Sequence, residues 1–323
     1  MHIPDGFINV ATAAGAGLVA ASGLGASLRR TGRDLSDRQI PFAGLTAAFI
    51  FAVQMLNFPV GAGTSGHLLG GSLAAILLGP WLGALAVAVV VFVQALMFAD
   101  GGIVALGLNV LNMALITTLA GWGVFRSLVK VLPRRSSAVM IASMVAGAIS
   151  VVASALAFVL QYASGGEGAA PLQTVFQAMV GVHSLIGIGE GVITALAVGT
   201  VLAVRPDLIR GLSDLKLPHL ATTPSRRSFV AFVAAGLVIA LALVFLVAPI
   251  ASGDPDGLER VAIDNGFIEA AQEHPLGGPL ADYGVSGIEN EETGTVLAGA
   301  IGVGATFVAG LIVTTFLRRR RSA

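Results

Sequence analysis

The chain of 323 residues has no cysteine, which excludes disulfides and thiolate metal ligands together. Charge is scarce as well: 11% of residues are Asp, Glu, Lys or Arg, and aromatics reach only 6%. Set against 55% hydrophobic residues and a mean hydropathy of +0.88, so little charge excludes a soluble domain of this length. No Gly-x-x-x-x-Gly-Lys-Ser/Thr stretch occurs, so the chain cannot be its own P-loop ATPase. Nor does a basic, apolar and small-residue signal precede Phe7, so the N-terminus is expected to stay on the protein. The net charge of zero decides little about partners, because the arrangement of charge matters more than its total.

What the chain does have is glycine, 42 residues of it, and long apolar runs. Runs of about 20 apolar residues span a bilayer, and small side chains let such helices approach closely. The expected fold is an all-α polytopic membrane protein, with helices near 7–28, 40–57, 68–79, 81–98, 103–125, 137–160, 176–204, 229–249 and 295–317. The 68–79 segment covers roughly 18 Å, too short for ~30 Å of hydrocarbon, so Phe58 to Gly66 is expected to dip inward as a loop. Seven helices, this half-membrane one included, would form a bundle, and the last two a C-terminal hairpin.

All lysines and arginines but Arg260 follow the first, fifth, seventh or last helix, on one side if the helices alternate. The positive-inside rule then puts the N-terminus outside and the C-terminus in the cytoplasm of a prokaryotic cell. Three parts are expected: a membrane domain over 1–204, a basic cytoplasmic linker over 205–228 that holds Pro206, Pro218 and Pro224, and a two-helix part over 229–323. Within the last, residues 251–293 carry ten Asp and Glu against Arg260. This outer segment reads either as a solvated acidic loop or as a funnel that concentrates cations.

Five histidines are the first candidates for chemistry: His2, His67, His183, His219 and His274. With His2 one peptide unit from a free amine, the Met1 amine, the His2 amide nitrogen and the His2 imidazole can chelate a metal through five- and six-membered rings. His67, in Gly63-Thr64-Ser65-Gly66-His67-Leu68-Leu69-Gly70-Gly71, is the candidate for a fourth nitrogen. The plainer reading is an imidazole bonded to a neighbouring carbonyl. Four nitrogens in a plane select Ni(II), Co(II) or Cu(II) over Mg(II) and Ca(II), and binding releases protons. Asp5, in Pro4-Asp5-Gly6, is expected to cap the first helix. Glu190 and His183 fall near one face of the seventh helix, and a structural bond, support of the metal loop and direct ligation are all open to them. Asn57, Asn109 and Asn112 are candidates for fixing the loop, as is Ser65 within it. Ladders of small residues, Ala13, Gly17, Ala21 and Gly25, then Ala43 and Ala47, suit close helix packing.

Met1-His2-Ile3-Pro4-Asp5-Gly6-Phe7, Gly63 to Gly71, Asn109-Val110-Leu111-Asn112-Met113 and His183 to Gly191 together resemble the CbiM/NikM family. These are the substrate-binding membrane components of energy-coupling factor (ECF) transporters for cobalt and nickel. The resemblance covers residues 1 to about 204. It implies that the Met1 amine, the backbone and ring nitrogens of His2 and the His67 imidazole bind Co(II) or Ni(II) as cargo, with no cofactor and no enzymatic activity. It also implies partners: a coupling membrane subunit, which the alanine ridges would contact, and two cytoplasmic ATPases, within membrane lipid and without nucleic acid. Pro255-Asp256-Gly257-Leu258-Glu259 looks like the PDGLE signature of the small component often fused to this family, and on that resemblance alone tilts the expected cargo to nickel. Two other readings stand beside this one. Gly63-Thr64-Ser65-Gly66 with His183 is similar to the serine and histidine of rhomboid proteases, and a passive metal sensor would bind without transport.

Overall fold

A backbone in hydrocarbon has no water to bond, so apolar runs close their hydrogen bonds internally as helices. In the computed structural model, which describes residues 1–213 and 225–322, they are α1 (Val10–Asp34), α2 (Gln39–Gln54), α3 (Gly71–Leu78), α4 (Pro80–Met97), α5 (Leu106–Asn109), α6 (Thr117–Val131), α7 (Ser136–Gly165), α8 (Leu172–Val204), α9 (Arg226–Leu246), α10 (Gly257–Asp264) and α11 (Glu291–Ser322). A π-helical stretch, Val110–Ile116, joins α5 to α6 into one span. Among the described residues, 7 helical segments are long and apolar enough to cross a membrane. Lys216, Pro218, His219 and Pro224 of the expected linker lie outside the described residues.

Two expected helices start late, each for a local reason. α1 begins at Val10, not residue 7, and its cap is Asn9, whose side chain accepts from Thr12 N; Asp5 does not cap it. Residues 1–9 instead form a non-helical strap that runs into the end of the bundle, burying Met1 and Ile3. The 68–79 segment becomes helix only at Gly71, because the residues before it form a hairpin, β1 (Phe58–Gly61) with β2 (Thr64–Gly66). Its turn needs φ of +52° at Ala62 and +66° at Gly63.

Small residues set the packing. A Cβ on Gly107 would sit 2.4 Å from Gly17 Cα, so α1 and α5 meet backbone to backbone, with Ala13 buried in the same seam. Ala21 is exposed and nothing lies beside Gly25 within 4 Å, so the C-terminal half of that ladder is not used for close packing within the bundle. Both C-terminal helices lie against α2. Gly310 comes within the same range of Gly44 on one side, a Cβ there lying 2.9 Å from Gly44 Cα, and Phe232 meets the Phe42 ring at 6.1 Å on the other. Ala43 and Ala47 are buried beneath them.

Arg260 apart, Arg38, Arg126, Arg205 and Arg318 gather at one end of the bundle. Arg205, 2% exposed, forks onto Asp207 at 2.8 and 2.7 Å and lies over the Phe229 and Phe232 rings of α9 at 5.3 and 5.7 Å. Arg38 reaches the same carboxylate at 3.9 Å, Arg318 pairs with Asp37, and Arg126 donates to Gly211 O at 2.9 Å. The opposite end holds the strap, the hairpin and the acidic segment.

That segment, read from sequence as a solvated loop or a funnel, is folded down on the first part by main-chain bonds. Ser252 N donates to Asn57 O (2.9 Å), Gln272 N to Asp5 O (2.8 Å), Leu280 N to Met97 O (2.8 Å) and Asp282 N to Phe98 O (3.1 Å). Phe267 is its apolar anchor, packed edge-on against Phe7 at 5.2 Å, an arrangement that contributes roughly 0.5–1.5 kcal/mol beyond area burial.

Candidate metal centre

The strap is held by polar groups of the span that follows α4. Asn109 accepts from Ile3 N (2.7 Å) and donates to Ile3 O (3.0 Å), and Gly102 N donates to the same carbonyl (2.9 Å). The Asp5 carboxylate takes the free amides of Ile103 (3.1 Å) and Ala105 (2.9 Å) ahead of α5. Gly6 has φ of +91°, and a Cβ there would lie 2.0 Å from Ala270 O, so the turn tolerates no side chain. Ile3 and Phe7 are buried, and Met1 is 3% exposed.

The hairpin delivers His67 to the same point. The buried Glu190 carboxylate of α8 accepts from Leu69 N at 2.6 Å and Gly70 N at 3.1 Å, while Gln54 donates to Leu69 O at 2.8 Å. His67 Nδ1 donates to Leu68 O (3.0 Å), which fixes the tautomer and leaves the Nε2 lone pair facing outward. That Nε2 is in direct contact with the Met1 amine. Glu190→Gln places an amide donor against one of two amide donors and leaves it unpaired. The expected outcome is a loss of about 1–3 kcal/mol in stability and a 10- to 100-fold weaker metal affinity, read by thermal unfolding and metal titration.

The His2 ring lies on the His67 ring, with centroids 5.3 Å apart and planes at 18°. Its Nδ1 is 3.0 Å from Asp100 Oδ1 and its Nε2 is 3.2 Å from Gln94 Oε1. Burial, against the opposing pull of Asp100, pushes the imidazole down to about 4, so at neutral pH it is uncharged and keeps a lone pair for a metal. Tyr283 of the acidic segment donates to Asp100 Oδ2 at 2.6 Å and accepts from Gln94 at 3.2 Å.

Asp256, of the Pro255-Asp256-Gly257 turn, completes the cluster: its Oδ2 is 2.6 Å from the Met1 amine and 3.5 Å from His67 Nε2. Burial raises this carboxyl, but the amine and His67 outweigh it and hold it well below the usual carboxylate range. The turn is fastened to the hairpin, since Ser65 N donates to Pro255 O (2.9 Å) and Ser65 Oγ to Asp254 O (2.7 Å). Gly257 fits because a Cβ there would meet Ile186 at 2.6 Å and His183 at 3.2 Å. In front lies a cavity of about 780 Å³, bordered by His2, His67, Asp100, Asp254, Asp256 and Glu259, with Asn57 at its edge.

The other sequence candidates stand back from this point. Asn112 exchanges two bonds with Gln161 of α7, at 2.8 and 2.7 Å, one layer behind Met1. His183 Nδ1 donates to Met179 O of its own helix (2.8 Å), and its Nε2 has no hydrogen-bond partner. Ser65 and His183 are therefore not paired as nucleophile and base, which removes the geometric basis of the protease reading. His274 lies elsewhere in the acidic segment. Sequence reasoning did not select Asp256, Asp100, Gln94 or Tyr283. Gln94 was detectable as a polar residue inside an apolar run, and Asp256 as part of a motif taken only for a signature.

Among the described residues, no group of three or more His, Asp or Glu side chains is placed to hold a metal. Any metal held here must draw on main-chain nitrogens as well as side chains.

Comparison with known proteins bears on this cluster. A family model described as the cobalt uptake substrate-specific transmembrane region matches residues 2–208, and one described as the PDGLE domain matches residues 230–319. A putative fused nickel transport protein, NikMN, of Archaeoglobus fulgidus is 36% identical over 98% of this chain and 99% of its own. The cobalt transport protein CbiM of Geobacter sulfurreducens is 33% identical over 71% of this chain and 67% of its own. The crystal structure of a transition metal transporter, 30% identical, superposes with a TM-score of 0.57 over 67% of this chain and all of that one.

Proposed function

The chain belongs to the cobalt-uptake substrate-specific transmembrane family, and from that premise we propose that it is the metal-capturing membrane component of an energy-coupling factor importer for Ni(II) or Co(II). The observation that carries the reading is the convergence of the Met1 amine, the His2 imidazole and His67 Nε2 at one end of the bundle. The proposed ligands are that amine, the His2 amide nitrogen, a His2 ring nitrogen and His67 Nε2. The chelate's six-membered ring closes through His2 Nδ1, so binding exchanges its contact with Asp100 for a bond to the metal. The amine likewise gives up Asp256 and a proton. Glu190, Asn109 and Ser65 keep the donors in place; Asn57, Asn112 and His183 support the surrounding walls.

The N-terminus faces outside in this account, with the arginines in the cytoplasm. Energy for import comes from two ATPase subunits acting through a coupling membrane protein, since the chain has no P-loop. Residues 1–204 form the capturing domain, 205–228 the linker and 229–323 the fused part whose outer segment covers the site.

Metal analysis of the protein carrying an untagged Met1, with uptake assayed in cells with and without the ATPases and coupling subunit, tests this. The expected result is one Ni(II) or Co(II) per chain and uptake only with the partners. Binding without uptake in their presence would make the protein a sensor instead.

A further inference from the structure

At the arginine-rich end, a cavity of about 330 Å³ lies between the end of α1, the start of α4 and the turn after α8. Its lining is built for an anion. Arg30 and Arg210 border it, and neither forms an ion pair with a carboxylate among the described residues. Arg30 is laid over the Trp81 ring at 4.4 Å, which holds the guanidinium at the rim. α4, an 18-residue helix, starts here with Pro80 and has no side-chain cap, so the amides of Trp81 and Leu82 are free of helical acceptors and the positive end of the helix faces the cavity.

A fourth feature is independent of charge. Thr31 also lines the cavity, is 7% exposed, and its hydroxyl has no hydrogen-bond partner. Many helical hydroxyls in the chain bond back one turn, as Ser22 does to Leu18 O at 2.8 Å and Thr46 to Phe42 O at 2.8 Å. Thr31, like Ser27, Thr118 and Thr194, does not, and Thr31 alone of these four borders this cavity. A buried hydroxyl without a partner costs free energy unless something else supplies one.

The chain's only two tryptophans, Trp81 and Trp122, both border this cavity. Tryptophan collects at the level of lipid headgroups, and basic pockets between membrane helices recognise anionic heads. We propose that this cavity binds the phosphate of an anionic membrane lipid. Arg30 and Arg210 supply charge-assisted bonds, the α4 amides a cradle, and Thr31 a donor to a phosphate oxygen.

The test is native mass spectrometry of the full chain in detergent, titrated with phosphatidylglycerol, with inorganic phosphate as competitor. Wild type is expected to retain one phosphatidylglycerol per chain, undisturbed by millimolar phosphate. The double variant Arg30→Gln/Arg210→Gln should bind it roughly 25-fold more weakly, at about fivefold per arginine. Thr31→Val should weaken it severalfold. Metal binding equal to wild type in both variants shows that the chains are folded. Equal lipid retention by wild type and the double variant overturns the proposal. Displacement of the lipid by inorganic phosphate overturns it too, and makes a soluble phosphate the ligand. A double variant that keeps lipid but no longer copurifies with the coupling subunit would mark a protein contact and end the lipid reading.

Discussion

Acetylating the Met1 amine is expected to abolish Ni(II) and Co(II) binding while leaving the helices and their thermal unfolding intact. The amine sits against His67 Nε2 and 2.6 Å from Asp256 in a pocket where Met1 is 3% exposed. An acetylated nitrogen delocalises its lone pair into the new carbonyl and could ligate only by losing a second amide proton, so the chelate rings lose their readily available anchor. Changes one shell further out cost about 10- to 100-fold in affinity, so loss of a ligand should exceed a hundredfold. Placing one residue before Met1 has the same expected effect, because the new amine must move off the His67 side of a closed pocket. Titration calorimetry with acetylated and free protein reads this directly, and circular dichroism checks the fold. Unchanged affinity would refute the chelate.

His67→Ala carries the second large effect. It removes the one imidazole that the hairpin, Glu190 and Gln54 exist to place, and with it the fourth nitrogen. Metal affinity should fall more than about a hundredfold on the same reasoning. His274→Ala should change it by less than about twofold, since that ring lies outside the cluster. The pair of variants separates two sites: if His274→Ala were the more damaging, the metal would be held by the acidic segment. Ser65→Ala should leave a detectable metal complex, because the Ser65 main-chain amide still fastens the hairpin to Pro255.

The spans were legible in the sequence because hydrocarbon imposes one solution on a long apolar run. The departures came where backbone polar groups found partners far away in the chain. Asp5 looked like a helix cap from its spacing, yet its carboxylate serves amides at positions 103 and 105, while Asn9 does the capping. The π-helical stretch around Asn112 has no period that distinguishes it from an α-helix. His2 and His67 were readable because the chelate is local and the glycines around His67 announce irregular backbone. Asp256 was not, since nothing in residues 1–204 indicates that a carboxylate 255 positions away closes on the Met1 amine.

That closure changes the meaning of the acidic segment. One of its carboxylates, Asp256, meets the Met1 amine, while its main chain is held at Asp282, whose amide donates to Phe98 O, and Tyr283 reaches Asp100 beside His2. The acidic segment thus lies against the cluster, with Asp256 on the Met1 amine and Tyr283 on the Asp100 that faces His2, and in the proposed chelate a metal would replace both carboxylate contacts.

X-ray absorption at the nickel edge of the loaded protein, carrying a free Met1 and no tag, tests the central claim most directly. The account predicts four nitrogen neighbours at about 2 Å and no sulfur. A six-oxygen shell would contradict it and move the metal to the carboxylates of the outer segment.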